Sequence, residues 1–447
     1  MATAIVRTRR KEFQNLSLAS LGAVLEYFDF QVYVFVAALL GNAIFPPGQS
    51  IWKTQVQTFG IYAIGYLVRP IAGMLIAHYA DRIGRKKLFV FTVFLMSVPT
   101  LLMGLLPTYE TIGWLAPASL LVLRILQGCA VGGELPGASV FVSEHASPRR
   151  LGVTSGFFYG MINFGLLLGA AAAAFAQWIA ALDPALASLA WRLPFILGGG
   201  FGLVAAYLRR HLEETPMFEE IRREQKLSRE VPLVAVLRRY RWQCVFAVAL
   251  VFPFATTPAI YFQYMPTYFL TIAHTDPGLV FRANVFGVAA FVAAMPLWGL
   301  LRDRVGWAPM LVLGAVLNAG SAIWFFNYVP TLGPSDTHLV YAVMVAGALS
   351  AIPHSMIAGL ISALFPTAIR QSGYAFPYSV GTALVSGLTP LAIAALVREY
   401  GLGAPMVQIL LGSCIALVLA ATVRLLPLYL GEVAAPAPVN AERLPSA

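Results

Sequence analysis

Long apolar stretches alternate with short polar segments along this 447-residue chain. Most of the stretches reach about 20 residues, the length that an α-helix needs to cross the hydrocarbon layer of a membrane. The strands of a membrane barrel would instead give segments of about 10 residues with alternating hydrophobicity. The pattern therefore predicts an all-α, polytopic membrane protein with twelve transmembrane helices in two pseudo-symmetric six-helix bundles.

The predicted spans fall six on each side of the longest hydrophilic segment, His211 to Pro232. The approximate spans of the first half are 15–41, 53–79, 88–107, 112–140, 152–179 and 192–209. Those of the second half are approximately 241–271, 280–301, 309–329, 339–365, 373–398 and 404–428. We expect an N-terminal bundle over 1–210, a cytoplasmic linker over 211–240, a C-terminal bundle over 241–430 and a disordered, Ala- and Pro-rich tail over 431–447.

A weak internal repeat supports the division into parallel halves. "DRIGRKK" at 81–87 follows the second span of the first half, and "DRVGWAP" at 303–309 follows the second span of the other half. Parallel repeats are typical of secondary transporters, whose substrate site lies near the bilayer midplane between the repeats.

Composition supports a membrane protein, since 59% of the residues are hydrophobic and 11% are charged. The net charge of +10 could indicate a nucleic-acid partner, but the positions of the basic residues argue otherwise. With the N-terminus inside, about 24 of the 30 Lys and Arg residues fall in the tails and even-numbered loops. We therefore expect no nucleic-acid partner, and both termini on the cytoplasmic side of the inner membrane. The first apolar run is too long for a secretory signal, carries acids and lacks a clear cleavage site.

Two carboxylates, Glu26 and Asp29, lie in the middle of the first apolar run, in "LEYFDF" at 25–30. They are about one helical turn apart and share a face of the predicted helix. An ionised group at the bilayer centre costs at least about 3 kcal/mol, so each acid must be protonated, paired or facing water. The alternatives to a functional role are a structural ion pair and a snorkelling side chain, and the depth of the residues weakens the second.

Two arginines and a third acid lie inside the same half: Arg69 in "GYLVRPIAG", and Arg124 and Glu134 in "LVLRILQGCAVGGELPG". Arginine stays protonated, whereas a carboxylate beside it can gain or lose a proton as its surroundings change. We predict proton coupling by Asp29, Arg124, Glu134 and Glu26, and substrate binding by Arg69 and Arg124. The glycines around these residues are expected to allow close helix packing.

Further candidates for substrate contact are aromatic or neutral. They are Tyr33 in the first half, and Tyr261, Tyr264, Gln263 and His354 in the second. The stripe "PAIYFQYMPTYF" is predicted to put Tyr261, Tyr264 and Tyr268 on one face of the seventh helix, and packing is the alternative role for these aromatic residues. A hydrogen-bonded structural role is the alternative for the histidine.

Charged residues near the predicted cytoplasmic turns could close that side through ion pairs. The candidates for this gate are Asp81, Arg82, Arg85, Glu144, Arg149, Asp303 and Arg304. The alternative is that these residues only enforce topology.

The sequence favours no enzyme or cofactor. The cysteines Cys129, Cys244 and Cys414 have no metal-type spacing, and there is no Walker loop, H-E-x-x-H motif or G-x-S-x-G elbow. A proton gradient is therefore the expected energy source.

Seven ordered motifs resemble those of the major facilitator superfamily and, within it, the metabolite:proton symporter family. They are "EYFDF", "RPIAG", "AHYADRIGRKK", "RILQGCAVGGE", "SEHASPRRLG", "WRLPF" and "EETPMF". The resemblance covers almost the whole chain, although Ala77 and Trp307 depart from the usual loop pattern. It implies two six-helix bundles, alternating access and proton-driven uptake of a small metabolite. It also supports Asp29, Arg124 and Glu134 as coupling residues, Arg69 as a cavity charge, and Asp81, Arg85 and Glu144 as gate residues.

Members of this family carry organic acids such as citrate, 2-oxoglutarate and shikimate, or zwitterions such as proline and betaine. Because the tail lacks the heptads of the osmosensing members, we expect the substrate to be an organic acid. We also expect the protein to function as a monomer. The alternatives are a zwitterionic osmolyte, proton-coupled export, and a membrane receptor or scaffold that transports nothing. Export is disfavoured because "FGLLLGAAAAAFAQW" lacks the Gly-Pro motif of related exporters.

Overall fold

The computed structural model describes residues 24–25, 27–73, 85–131, 134–146, 148–182, 189–209, 232–333, 335–366 and 369–429. Glu26, Asp81 and Arg82 lie outside the described residues, as do most of the expected linker and the expected tail. Arg85 and Glu134 begin helices, but their side chains are not among those described.

The first half of the chain forms helices α1 to α6. Helix α1 consists of Tyr27–Phe35 and Ala37–Ile44, which meet at a bend of 69°. It is followed by α2 (Ile51–Leu67), α3 (Arg85–Gly104), α4 (Leu115–Val131 and Glu134–His145), α5 (Leu151–Leu182) and α6 (Leu193–Arg209). The Ser50 hydroxyl accepts a hydrogen bond from the Lys53 amide at 3.4 Å and so caps α2.

The second half forms α7 to α12, and two of these helices contain a π-helical segment. They are α7 (Arg241–Pro258, π-helical Ala259–Tyr264 and Met265–Thr271), α8 (Pro277–Val305), α9 (Trp307–Tyr328), α10 (His338–Ser350 and His354–Ala363), α11 (Arg370–Thr382, π-helical Ala383–Gly387 and Leu388–Tyr400) and α12 (Gly403–Thr422). Each of the twelve predicted spans therefore overlaps a described helix. The predicted helical membrane fold is confirmed.

Eight of the described helices are long and apolar enough to cross a membrane, or nine if the bent α1 is one span. Large apolar side chains such as Trp178, Leu297 and Val418 are exposed on the outer surface of the bundle. Such a surface would promote aggregation in water but matches the lipid tails of a bilayer.

The two halves meet along α5 with α8 and along α2 with α11. A Cβ on Gly156 of α5 would lie 2.4 Å from the Met295 carbonyl oxygen of α8. Nearer the start of α5, a Cβ on Gly152 would lie 2.5 Å from the Gly299 carbonyl oxygen. Only glycine permits backbones to approach this closely, so these positions fix the seam between the halves.

Candidate functional site

Arg124 of α4 is fully buried and ties α4 to α1. Its Nη1 donates to the Phe30 carbonyl oxygen at 3.1 Å and to the Gln127 side-chain oxygen. The guanidinium lies 3.7 Å from the centre of the Phe30 ring and 4.7 Å from that of Tyr33. Gly65 of α2 makes room for the guanidinium, since a Cβ there would lie 2.9 Å from Nε. The arginine is thus a fixed positive charge inside the first half.

Asp29 precedes Phe30, which Arg124 contacts, but the Asp29 carboxylate faces α3 and α6. The residue is 1% exposed. A Cβ on Gly198 would lie 2.7 Å from Oδ1, and a Cβ on Gly202 would lie 2.9 Å from Oδ2 and 2.0 Å from Ser97 Oγ. The Asp29 main chain is held from the other side, because Gln127 Nε2 donates to its carbonyl oxygen at 2.9 Å. The glycines of "GGGFG" at 198–202 therefore provide the space for this carboxylate.

Arg69 follows the last residue of α2 by two positions and is half-buried. Its guanidinium is 3.9 Å from the centres of both the Phe30 and Tyr66 rings. Its Nε has no hydrogen-bond partner among the described residues. Arg69 is therefore a cation with remaining donor capacity inside an aromatic environment.

A hydrogen-bond network joins the tyrosines near Arg124 to the second half. Tyr62 Oη lies 2.9 Å from Gln31 Oε1 and 3.0 Å from Gln263 Oε1, which belongs to α7. Tyr33 donates to the Thr58 carbonyl oxygen at 2.9 Å. Because a tyrosine hydroxyl has one proton, Tyr62 can donate to only one of the two amide oxygens at a time.

The structure separates the aromatic residues predicted to share one face of α7. Tyr264 packs against Phe59 of α2, with ring centres 5.8 Å apart, and so faces the first half. Tyr261 stacks on Phe326 of α9 at 5.9 Å, inside the second half. The π-helical segment at Ala259–Tyr264 changes the angle between successive side chains, which the sequence pattern did not reveal.

His354 is enclosed by aromatic rings at the break in α10. Its ring centre lies 4.0 Å from that of Phe254, 4.7 Å from that of Phe291 and 6.3 Å from that of Tyr159. The histidine is 2% exposed. The structure therefore does not bring it into contact with the arginines described above.

Several contacts join the halves at the end of the bundle where α4 is followed by α5. Glu144 accepts from Arg370 Nη1 at 2.9 Å. Asp303 accepts from the amides of Gly152 and Val153 at 2.6 and 2.9 Å, at the N-terminus of α5. These contacts involve two of the predicted gate residues, whereas Arg149 and Arg304 are exposed.

Tyrosines and a polar pair join the halves elsewhere. The hydroxyls of Tyr159 and Tyr374 lie 2.9 Å apart, between α5 and α11. At the opposite end of the bundle, Gln55 Nε2 donates to Thr271 Oγ1 at 2.7 Å, between α2 and α7. Contacts between the halves therefore exist toward both ends of the molecule.

Comparison with known proteins identifies the family. The Major Facilitator Superfamily model matches residues 19–326. The proline/betaine transporter of Escherichia coli (strain K12) is 33% identical over 397 residues, which cover 86% of this chain and 77% of that protein. The chain belongs to the major facilitator superfamily.

Two further proteins extend this assignment to the whole fold. The inner membrane metabolite transport protein YhjE of Escherichia coli (strain K12) is 31% identical over 424 residues, which cover 90% of this chain and 93% of that protein. The xylose transporter XylE from E. coli, in a partially occluded inward-open conformation, superposes with a TM-score of 0.71 at 18% identity, covering 93% of this chain and 98% of that one. This major facilitator is therefore a multi-pass membrane transporter and not an enzyme.

Several residues that join the two halves of this major facilitator were not predicted from its sequence. They are Gln55, Tyr62, Tyr159, Thr271, Arg370 and Tyr374. Gln55, Tyr62 and Thr271 are polar residues in apolar spans, which is a weak signal by itself. Their pairing depends on the packing of helices about 200 residues apart, and local patterns do not contain that information.

Proposed function

We propose that this major facilitator is a proton-coupled symporter that imports a small zwitterion of the proline or betaine class by alternating access. The observation that carries this proposal is the half-buried Arg69 guanidinium beside the Phe30 and Tyr66 rings. A substrate carboxylate pairs with the guanidinium, and a substrate cation or its alkyl groups meet the aromatic faces. The likeness to a proline/betaine transporter supports the same substrate class.

The proton is carried by Asp29. A carboxylate buried to 1% exposure is costly when ionised and much less costly when protonated. A transport cycle that alternately buries Asp29 and opens it to water therefore takes up and releases a proton. Gln127 links this acid to Arg124, since it bonds the Asp29 carbonyl oxygen and the Arg124 guanidinium. Glu134 and Glu26 stay proposed contributors to coupling.

Alternation uses the contacts between the halves at the two ends of the bundle. The distribution of basic residues supports a cytoplasmic location for both termini. With this orientation, Glu144–Arg370 and Asp303 with the start of α5 close the cytoplasmic side. Gln55–Thr271 then closes the external side. Opening one set while the other holds gives alternating access, and one chain working as a monomer without a cofactor suffices for this cycle.

An organic acid is the second candidate substrate. The guanidiniums of Arg69 and Arg124 both lie within 4 Å of the Phe30 ring centre, at 3.9 and 3.7 Å. Two neighbouring cations suit a dicarboxylate better than a single-carboxylate zwitterion. Arg124 is fully buried, however, whereas Arg69 is half-buried, which favours a ligand with one carboxylate such as the zwitterion.

Uptake into proteoliposomes tests the proposal. With an inward gradient of about one pH unit, we expect about tenfold accumulation of labelled proline or betaine for one proton per substrate. We expect Arg69→Gln to raise the KM at least about tenfold, since a hydrogen bond to a charged group contributes about 1.5–3 kcal/mol. Arg282→Gln, at an exposed arginine of α8, is the matched control.

The other outcomes separate the alternatives. Accumulation of only citrate, 2-oxoglutarate or shikimate would replace the zwitterion with an organic acid. Substrate movement out of the vesicles against inward proton flow would make the protein an exporter. No movement of any tested solute under either gradient would support a non-transporting receptor.

A further inference from the structure

A cavity of about 270 Å³ lies between the two halves at the end of the bundle where α1 is followed by α2. We name it the outer vestibule. Its polar lining residues are Asn42, Thr54, Gln55, Thr58, Thr267, Thr271 and His274. Asn42 and His274 are exposed at its mouth. Gln55 and Tyr62 are seven positions apart on α2, so the vestibule lies about 10 Å along the helix from the Tyr62–Gln263 contact.

The chemistry of the outer vestibule suits a small molecule without net charge. None of the described residues that line it is Lys, Arg, Asp or Glu. A polycarboxylate entering it would leave water without gaining a cation, whereas a zwitterion finds hydroxyl and amide groups for both of its ends. Apolar side chains such as Ala38 and Leu270 also line the cavity and can contact methylene groups.

Gln55 has an unused hydrogen-bond acceptor at this cavity. The residue is 5% exposed, and its Nε2 donates to Thr271 Oγ1 at 2.7 Å. The Thr271 hydroxyl proton is donated in turn to the Thr267 carbonyl oxygen at 2.6 Å. Gln55 Oε1 is buried and has no hydrogen-bond partner among the described residues. A buried acceptor without a donor is unfavourable, so a ligand that supplies an N–H group relieves that cost.

We propose that the outer vestibule is an entry site that selects zwitterions with an ammonium N–H, through acceptance of that N–H by Gln55 Oε1. The inference rests on the proposed function and adds, within its substrate class, a preference for amino or imino acids over quaternary ammonium compounds. A quaternary ammonium compound has no N–H and leaves Gln55 Oε1 unpaired. Sites built to bond a polar hydrogen discriminate strongly against analogues that lack it. The Gln55–Thr271 bond must then open for the ligand to move toward Arg69.

The test compares two zwitterions with the same ring and carboxylate: proline, whose ammonium has two N–H groups, and N,N-dimethylproline, in which methyl groups replace both. Their KM values are measured with wild-type protein, Gln55→Met, Gln55→Glu and Thr271→Val in proteoliposomes. Gln55→Met keeps the side-chain length but removes the acceptor, and is expected to raise the KM for proline about tenfold. Its KM for N,N-dimethylproline is expected to change less than twofold. Gln55→Glu retains acceptor oxygens and is expected to keep the wild-type KM for proline within about threefold.

Thr271→Val separates ligand selection from closure of the external side. It removes the hydroxyl that bonds Gln55 Nε2 but leaves Gln55 Oε1 in place, so it is expected to change both KM values by the same factor. Equal shifts for the two substrates in Gln55→Met, or no shift, would overturn the vestibule proposal while leaving the transport of zwitterions intact. Absence of transport of both substrates by the wild-type protein would overturn the proposed function and this inference with it.

Discussion

The two halves of this transporter share one architecture but differ in the charge of their buried polar side chains. In the first half, Asp29 and Arg124 are 1% and 0% exposed within their helices. At the interior of the second half, the buried polar residues among those described are neutral or aromatic, such as Gln263, Asn318 and Tyr264. Its buried arginines, Arg302 and Arg370, lie near the ends of α8 and α11. Ionisable groups inside a membrane are costly, so the position of Asp29 and Arg124 well within the helices of the first half indicates where charge has a use.

This difference suggests a division of labour between similar bundles. The charged first half is suited to proton coupling and to binding a carboxylate, because its charges can respond to protons and ions. The neutral second half is suited to forming the wall of the substrate site and closing it, since Tyr264, Gln263 and Thr271 contact α2 without adding charge.

Removing the buried cation should have the largest effect. Arg124→Gln leaves the Phe30 carbonyl and the Gln127 oxygen without a charged donor, and should lower the free energy of unfolding by about 3 kcal/mol or more. Arg124→Lys should not restore stability, because an ammonium cannot reproduce the planar contacts with Phe30 and Tyr33. Thermal unfolding in detergent measures both effects. Arg282→Gln is the control, and full stability of Arg124→Lys would contradict the account.

Filling the space beside Asp29 should have an intermediate effect. A Cβ at Gly202 meets Ser97 Oγ at 2.0 Å and Asp29 Oδ2 at 2.9 Å, so Gly202→Ala should destabilise by about 1–3 kcal/mol and reduce proton-driven uptake. Gly200 lies on the same helix with nothing within 4 Å of its Cβ position. Gly200→Ala is therefore a matched control that should keep wild-type stability and uptake. Equal behaviour of the two variants would show that Gly202 does not position the carboxylate.

Weakening the closure near α5 should have the smallest effect. Asp303→Asn removes a negative charge from the N-terminus of α5, where such a charge contributes about 0.3–2 kcal/mol. The population that is open at this end of the bundle should therefore rise, by up to about thirtyfold for a loss of about 2 kcal/mol. Spin labels at the exposed positions Arg150 and Arg304 would report this as a longer distance between the halves. Arg398→Gln, at the other end of the bundle, should leave the distance distribution unchanged.

The sequence predicted the helices well because membrane spans depend on apolar length, which is a local property. Asp29 and Arg124 also stood out, because charge within an apolar span is rare. The direction of the Asp29 carboxylate was not predictable, since it depends on Gly198 and Gly202 of α6. Arg370 was missed because its partner, Glu144, lies 226 residues away in sequence. The π-helical turn in α7 likewise has no clear signature in residue pattern, so Tyr261 and Tyr264 were predicted to share a face that they do not share.

Proton movement into proteoliposomes tests the central claim that the first half couples protons to a zwitterion. An internal pH dye would be followed after external proline is added to vesicles containing wild type, Asp29→Asn or the exposed-loop control Asp336→Asn. We predict internal acidification for wild type and the control, and none for Asp29→Asn, which should still exchange labelled proline for unlabelled proline. Acidification by Asp29→Asn at the wild-type rate would contradict the account and place the coupling proton on another group.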